Sequence, residues 1–337
     1  MSASVEQMFS VNKPVWWQGT SEDHGQALIL DDYPQTWAGA RTAAGLDWEP
    51  VDAPVYSLDG IDAETGQPIY REIPKFKQIQ RSDTGATLAL TAESYPIIGH
   101  GEFGEIFEAI LETDPDHLKA ETGGVLEGGR KVWMLIRLDE PIAVRGDGSM
   151  IMPYLAITAR HDAKGGVVLR ATAVRIVCAN TFRFAELEGE RTGATYTFLH
   201  RGNWRDHADE ARQAIRGVRS EIKDYVEYME HLTGVSISQA QEELFITEFV
   251  PSSPLVTDRV ARNVEQAREA VRGILASETV EGAGIRYTAA GLVQAAGEYL
   301  DHARDARSWE TKIKRSLIRP EPLKARAAKL ALEVAAN

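Results

Sequence analysis

Two periodicities divide the chain. Up to about residue 200 the apolar positions recur mostly at every second residue, and beyond Trp204 they recur at three- and four-residue spacing. Gln35–Gly45 places Trp37, Ala40 and Ala44 on one side of a short helix closed by Gly45. Trp48–Ser57 reads as extended, with Pro50 and Pro54 marking an edge strand or a bend. Ile69–Arg81 alternates, which puts Ile73, Lys75, Lys77, Ile79 and Arg81 on one face and Phe76, Gln78 and Gln80 on the other. Asp83-Thr84-Gly85 turns the chain into a third strand, Thr87–Ile98, and Gly101–Glu112 has the spacing of an amphipathic helix. Residues 1–32 show weak periodicity and read as a capping arm or loop.

A second block of strands follows at Lys131–Leu138, Met150–Ala159 and Val167–Cys178, with turns expected at Gly123-Gly124, Gly128-Gly129, Gly146-Asp147-Gly148 and Gly165-Gly166. In the last strand Val168, Arg170, Thr172, Val174, Ile176 and Cys178 share a face. Helices are expected at Ala208–Leu232, Ser238–Glu248, Thr257–Ser277 and Ala289–Trp309, and a last one after Pro320 and Pro322. The fold class is therefore α+β: an antiparallel sheet with flanking helices, built on a helix-strand-strand-strand-helix core with further strands, and a helical C-terminal third. We divide it into a sheet domain with an N-terminal arm, 1–200, and a helical region, 201–337.

Composition changes this picture in two respects. A single cysteine, Cys178, excludes an internal disulfide framework and a thiolate zinc site and argues for a reducing, cytoplasmic setting. The N-terminus lacks the pattern of a signal peptide and no apolar window is long enough for a membrane span, so no membrane partner is expected. The net charge of −13 argues against indiscriminate polyanion binding, but it is uneven: residues 1–116 hold 6 Lys and Arg against 20 Asp and Glu, residues 304–329 hold 9 against 3. An acidic head and a basic tail permit head-to-tail contacts between subunits or domains, or a local nucleic-acid surface on a chain that is acidic elsewhere.

For chemistry, His161-Asp162 at a strand end offers a ligand pair that His100, His117 and His200 could extend, yet metal-site spacings are absent and no metal or other cofactor is expected. The glycine pairs lack the lysine of a phosphate loop, and Cys178 has no adjacent histidine. Cations offer a different reading. Lys75, Lys77 and Arg81 on one strand face stand about 7 Å and 13 Å apart, the reach of successive phosphates on an extended single strand. Arg160, Arg170 and Arg175 extend that track, and Tyr70, Phe76, Phe182 and Phe184 supply rings for stacking on unpaired bases. The plain alternative is that these cations are solvated or paired with nearby carboxylates.

Gly128-Gly129-Arg130-Lys131-Val132-Trp133, Tyr154-Leu155, His161-Asp162, Arg175-Ile176-Val177-Cys178-Ala179-Asn180-Thr181 and Glu298-Tyr299-Leu300-Asp301-His302 together resemble a family of phage- and plasmid-encoded proteins known as domain of unknown function 932. The family's usual small residues after His-Asp are here Ala163-Lys164-Gly165. That resemblance implies no activity. The element order is similar to the core of phage single-strand annealing proteins of the RecT, Red-beta and Erf kind, which implies rings or filaments holding single-stranded DNA without a nucleotide or an obligatory metal. The leading expectation is therefore a single-stranded-DNA-binding homo-oligomer acting in annealing or recombination, with Lys75, Lys77, Arg81, Arg160, Arg170, Arg175 and Phe76 on the DNA. The alternatives are a metal-assisted enzyme acting on nucleic acid or nucleotides at His161, Asp162, Arg175 and Asn180, and a non-enzymatic assembly or host-interaction protein.

Overall fold

The computed structural model describes residues 7–11, 27–138, 141–175, 180–182, 195–198, 208–252, 257–304, 311 and 322–337. Short strands β1 (Met8–Val11) and β2 (Ala27–Leu30) lead into helix α1 (Trp37–Ala43). Thr36 caps α1 by accepting a hydrogen bond from the backbone N–H of Gly39. Next come β3 (Pro50–Ile61), β4 (Pro68–Arg81), β5 (Thr87–Ala92) and α2 (His100–Thr113). This is the helix-strand-strand-strand-helix order that the periodicity predicts.

Nine strands build the larger sheet among the described residues: β1 and β2, then β6 (Lys119–Leu126), β7 (Lys131–Arg137), β8 (Ile142–Ala143), β9 (Met150–Arg160), β10 (Val167–Arg175), β11 (Asn180–Phe182) and β12 (Thr195–Phe198). Its pairings are antiparallel except for β1 on β2, which is parallel. Two expectations need correcting here. The arm or loop expected over residues 1–32 contributes both of those strands, and Gly123-Gly124 lies inside β6 instead of turning the chain. The glycines stand where backbone approaches closely: a Cβ on Gly124 would lie 2.6 Å from the carbonyl oxygen of Gln7.

One face of the sheet carries Leu155, Ile157 and Ala159 from β9 and Leu169 and Ala171 from β10, packed in one core with Phe103, Phe107 and Ile110 of α2. The helical third begins with α3 (Ala208–Thr233), whose Ile215, Val218 and Ile222 join that core. Its second half, with Tyr225, Met229 and Leu232, enters another core with α4 (Gln239–Phe249), α5 (Asp258–Leu275), α6 (Ala289–Glu298) and α7 (Pro322–Ala335). Ile151 of β9 and Ala173 of β10 also belong to this second core, so the helical third rests on the far end of the same sheet. Mixed α+β architecture ending in helices matches the expected class. The long helix expected over Ala289–Trp309 leaves α-helical geometry after Glu298 and widens into a π-turn at Tyr299–Ala303.

Strands β3, β4 and β5 form a separate three-stranded sheet. Ile79 and Leu88 seat its base in the first core beside Trp48. β5 pairs with β4 only between Phe76 and Gln80, so the outer part of β4 pairs with β3 alone as a two-stranded ribbon. The strict alternation expected along β4 breaks at its centre. Register shifts between Pro54 and Tyr56, and Lys75 takes a left-handed φ of 69° whose carbonyl accepts from Glu93 N–H. Lys75 is therefore a bulge residue, and Lys75 and Lys77 do not continue one regular face.

Candidate functional site

Folding brings the expected site residues to several different places. Arg81 is buried at the base of β4, where Nε and Nη2 donate to the two carboxylate oxygens of Asp83 at 2.9 and 2.7 Å. Its guanidinium lies 4.3 Å above the Trp48 ring. The Arg81 hydrogen bonds hold the Asp83 carboxyl down at about 2. Arg160 makes the same kind of fork: Nε donates to Asp162 Oδ1 at 2.9 Å and Nη2 to Oδ2. Burial opposes ionisation of Asp162, but the Arg160 hydrogen bond and charge outweigh it and hold the carboxyl below its usual range.

Lys77 is largely covered, with Asp52 at 3.8 Å, whereas Lys75 and Phe76 are exposed. Arg170 is half-buried on the face of the large sheet that Arg160 also occupies. The single track of cations expected from spacing is thus corrected to two sheets and two carboxylate-clamped arginines. Cys178 and Phe184 lie outside the described residues.

The expected enzyme cluster separates as well. Register pairs Thr158 with Val168 at one end of β9 and Ile151 with Arg175 at the other, and Arg175 in turn pairs with Asn180. His161 and Asp162 follow the Thr158 end, so at about 3.3 Å per residue they stand roughly 30 Å from Arg175 and Asn180. The cluster fails because its members flank opposite ends of the same antiparallel pair.

What His161 meets instead is His100. His100 is the first residue of α2, and Nε2 of the two rings stand 3.2 Å apart in a buried setting. Nδ1 of His100 lies 3.2 Å from the carbonyl oxygen of Leu46. A carbonyl only accepts, so Nδ1 of His100 carries the proton, its Nε2 is the acceptor, and Nε2–H of His161 donates. Trp48 stands edge-on to both rings, 4.5 Å from His100 and 5.8 Å from His161. The backbone N–H of His100 donates to Glu49 at 2.8 Å, and Glu49 also pairs with Arg41 at 3.0 Å. Burial, which outweighs the nearby Glu49 charge, holds His100 below the usual imidazole range and so in its neutral form. Among the described residues no three His, Cys, Asp or Glu side chains are grouped to hold a metal ion. His117 is exposed and pairs with Asp114, and His200 lies outside the described residues.

Two further polar features were not read from spacing. Glu121 of β6 and Tyr154 of β9 are buried on the large sheet. Burial raises the Glu121 carboxyl above its usual range, against the Tyr154 hydrogen bond and the Arg137 charge, and burial together with Glu121 pushes the Tyr154 hydroxyl well up. In the helical third, Lys324 Nζ donates to Asp301 Oδ2 at 2.8 Å, and both side chains are essentially without solvent contact. Asp301 belongs to the π-turn after α6, a kind of helix irregularity that is frequent at functional sites. α6 also packs against β11, Asn180–Phe182.

The most exposed apolar surface lies elsewhere, on β3–β5. Tyr56, Leu58, Ile61, Ile69, Tyr70, Phe76 and Leu90 are between 46 and 68 % exposed. Leu58 pairs directly with Tyr70, and Tyr56 follows on the same face, whereas Ser57 pairs with Arg71 on the other. Arg71 is bound to Asp59 at 2.6 Å. No helix among the described residues is long and apolar enough to cross a membrane.

No curated protein and no solved structure matches the chain, and the expected similarity to single-strand annealing proteins finds no support in these comparisons. A family model matches residues 87–318, which include His100, His161, Asp162, Arg175 and Asp301 but leave β3 and β4 outside. The chain belongs to the family described as domain of unknown function (DUF932).

Proposed function

We propose that this chain is a non-enzymatic assembly protein that binds further copies of itself through the β3–β4 ribbon, forming a ring or filament. The observation that carries this reading is the ribbon. Seven of the twelve large hydrophobic side chains exposed among the described residues lie on β3–β5. A two-stranded ribbon is marginal in water by itself, and its unpaired edges and apolar side chains favour pairing with another chain. A ribbon on one copy that docks elsewhere on the next makes a heterologous contact, which closes into a ring or grows as a filament. Residues 50–81 hold five carboxylates against four cations, three of which are engaged at Asp59, Asp52 and Asp83, so apolar contact outweighs electrostatic attraction here.

Single-stranded DNA is the second reading. Exposed Tyr56, Tyr70 and Phe76 near exposed Lys75 favour it, because stacking on an aromatic ring contributes about 1–3 kcal/mol per base without a continuous cation track. With Lys75 as its principal phosphate contact, the log-log salt slope would be only about 0.7.

Light scattering on a sizing column separates the two. The intact chain at tens of micromolar should elute as a multimer, and Leu58→Asp with Tyr70→Asp should elute as a monomer with an unchanged circular dichroism spectrum. A thirty-base oligonucleotide that shifts the wild type but not Tyr56→Ala/Tyr70→Ala/Lys75→Ala supports the DNA reading. A wild-type monomer indifferent to the oligonucleotide overturns both.

A further inference from the structure

The root of the ribbon is fastened to the body at one place. Trp48 and Glu49 immediately precede β3 and Arg81 ends β4. These three residues close around His100 from α2 and His161 from the end of β9. We propose that the His100–His161 pair is a proton-operated latch: neutral, it holds the root of β3 and β4 against the large sheet, and proton uptake releases it.

The hydrogen-bond order sets how the latch responds to a proton. Leu46 carbonyl accepts from Nδ1–H of His100, and Nε2 of His100 accepts from Nε2–H of His161. A proton added to Nε2 of His100 places two donors face to face at 3.2 Å, so the bond breaks unless His161 shifts its own proton from Nε2 to Nδ1. A proton added to Nδ1 of His161 leaves the bond but puts a full cation in a buried cluster that already contains Arg81. The charged groups that face the pair do not offer a spare counter-ion. Glu49, from the residues before β3, is divided between Arg41 of α1 and the backbone N–H of His100. Asp83, after β4, is held by Arg81, and Asp162, after β9, is held by Arg160. Arg130, before β7, contributes its carbonyl to His161 N–H and its guanidinium to the Leu88 and Thr87 carbonyls of β5.

The sign follows from the lowered native value of His100. An unfolded histidine titrates near pH 6.5, so the neutral pair contributes its full stability above that pH and loses it as pH falls toward the lower native value. One proton taken up on opening raises the opening equilibrium by up to about tenfold between pH 7.5 and 5.5.

Hydrogen exchange on the intact chain reads this directly. After correction for intrinsic exchange rates, amides of residues 46–50 and 79–83 should exchange faster at pH 5.5 than at 7.5, by up to about tenfold, while those of α4 and α6 change little. His161→Gln keeps a neutral donor toward His100 and His100→Gln a neutral side chain toward His161, and each should flatten the response. Should either variant be too unstable to compare, the imidazole carbon-proton resonances of the wild type provide the check: both rings titrating near pH 6.5, or a wild-type exchange profile independent of pH, overturns the latch. The inference does not depend on what the ribbon binds.

Discussion

Replacing Asp301 with alanine should destabilise the chain by about 3–5 kcal/mol, read as a large drop in the urea midpoint at unchanged slope. The cause is the ammonium left behind. Lys324 is 1 % exposed and Asp301 fully enclosed, so truncating the carboxylate leaves a charge that water does not reach. The cost reports the loss of the carboxylate from an enclosed ammonium and not the net worth of the pair, which the desolvation of two hydrated ions largely offsets. Replacing both partners together by Asp301→Leu and Lys324→Met should therefore recover most of the loss. If the single variant unfolds at the same urea concentration as wild type, the ion pair is not enclosed in solution. The π-turn adds a second readout. Asp301 sits where α6 leaves α-helical geometry, and the Arg304 N–H returns to the Tyr299 carbonyl at 2.7 Å, so relaxation of this turn should appear as faster amide exchange at residues 299–304.

Local periodicity was enough to read the helix-strand-strand-strand-helix order, because Phe103, Ile106, Phe107 and Ile110 repeat at helical spacing and β4 and β5 alternate. It failed where a residue's role is set by something distant in sequence. Gly123-Gly124 looks like a turn by itself, yet it sits mid-strand because β1 needs to approach β6 without a Cβ between them. Counting by twos along β4 carries Lys75, Lys77 and Arg81 onto one face, but a bulge at Lys75 interrupts the count, a signal present only as Pro74 adjacent and Pro54, the partner of Lys77, at the edge of the register shift. Arg81 and Arg160 look like free cations in a linear reading. In each case the carboxylate that engages the arginine lies two residues further along, so Arg-x-Asp at a strand end was the available clue. His100 and His161 were both legible as candidates, but 61 residues separate them, and only the packing of α2 on the large sheet shows that they meet each other and not a metal-site set.

Trp48 is the residue on which this junction turns, and Trp48→Ala should cost about 3–5 kcal/mol as the loss of a large buried ring and the cavity it leaves. Four contacts converge on it: the His100 and His161 rings edge-on, the Arg81 guanidinium over its face, and Gly129, where a Cβ would stand 2.9 Å from the indole. Gly129 has φ of 95°, so its backbone is shaped to pass under the ring, and the ring in turn fills the space that a side chain would take. Removing the indole also deprives Arg81 of its cover while leaving its fork to Asp83 intact. Trp48→Phe should therefore lose less than half as much as Trp48→Ala, since a smaller ring retains the apolar body and a face for the guanidinium but not the hydrogen bond from Nε1 to the Gly45 carbonyl. Chemical denaturation of both variants decides the matter. Equal losses for Phe and Ala would mean that shape at this site, and not the amount of buried ring, holds the ribbon to the body; a loss below about 1 kcal/mol for Trp48→Ala would show that the base of β3 and β4 is held by Ile79 and Leu88 alone.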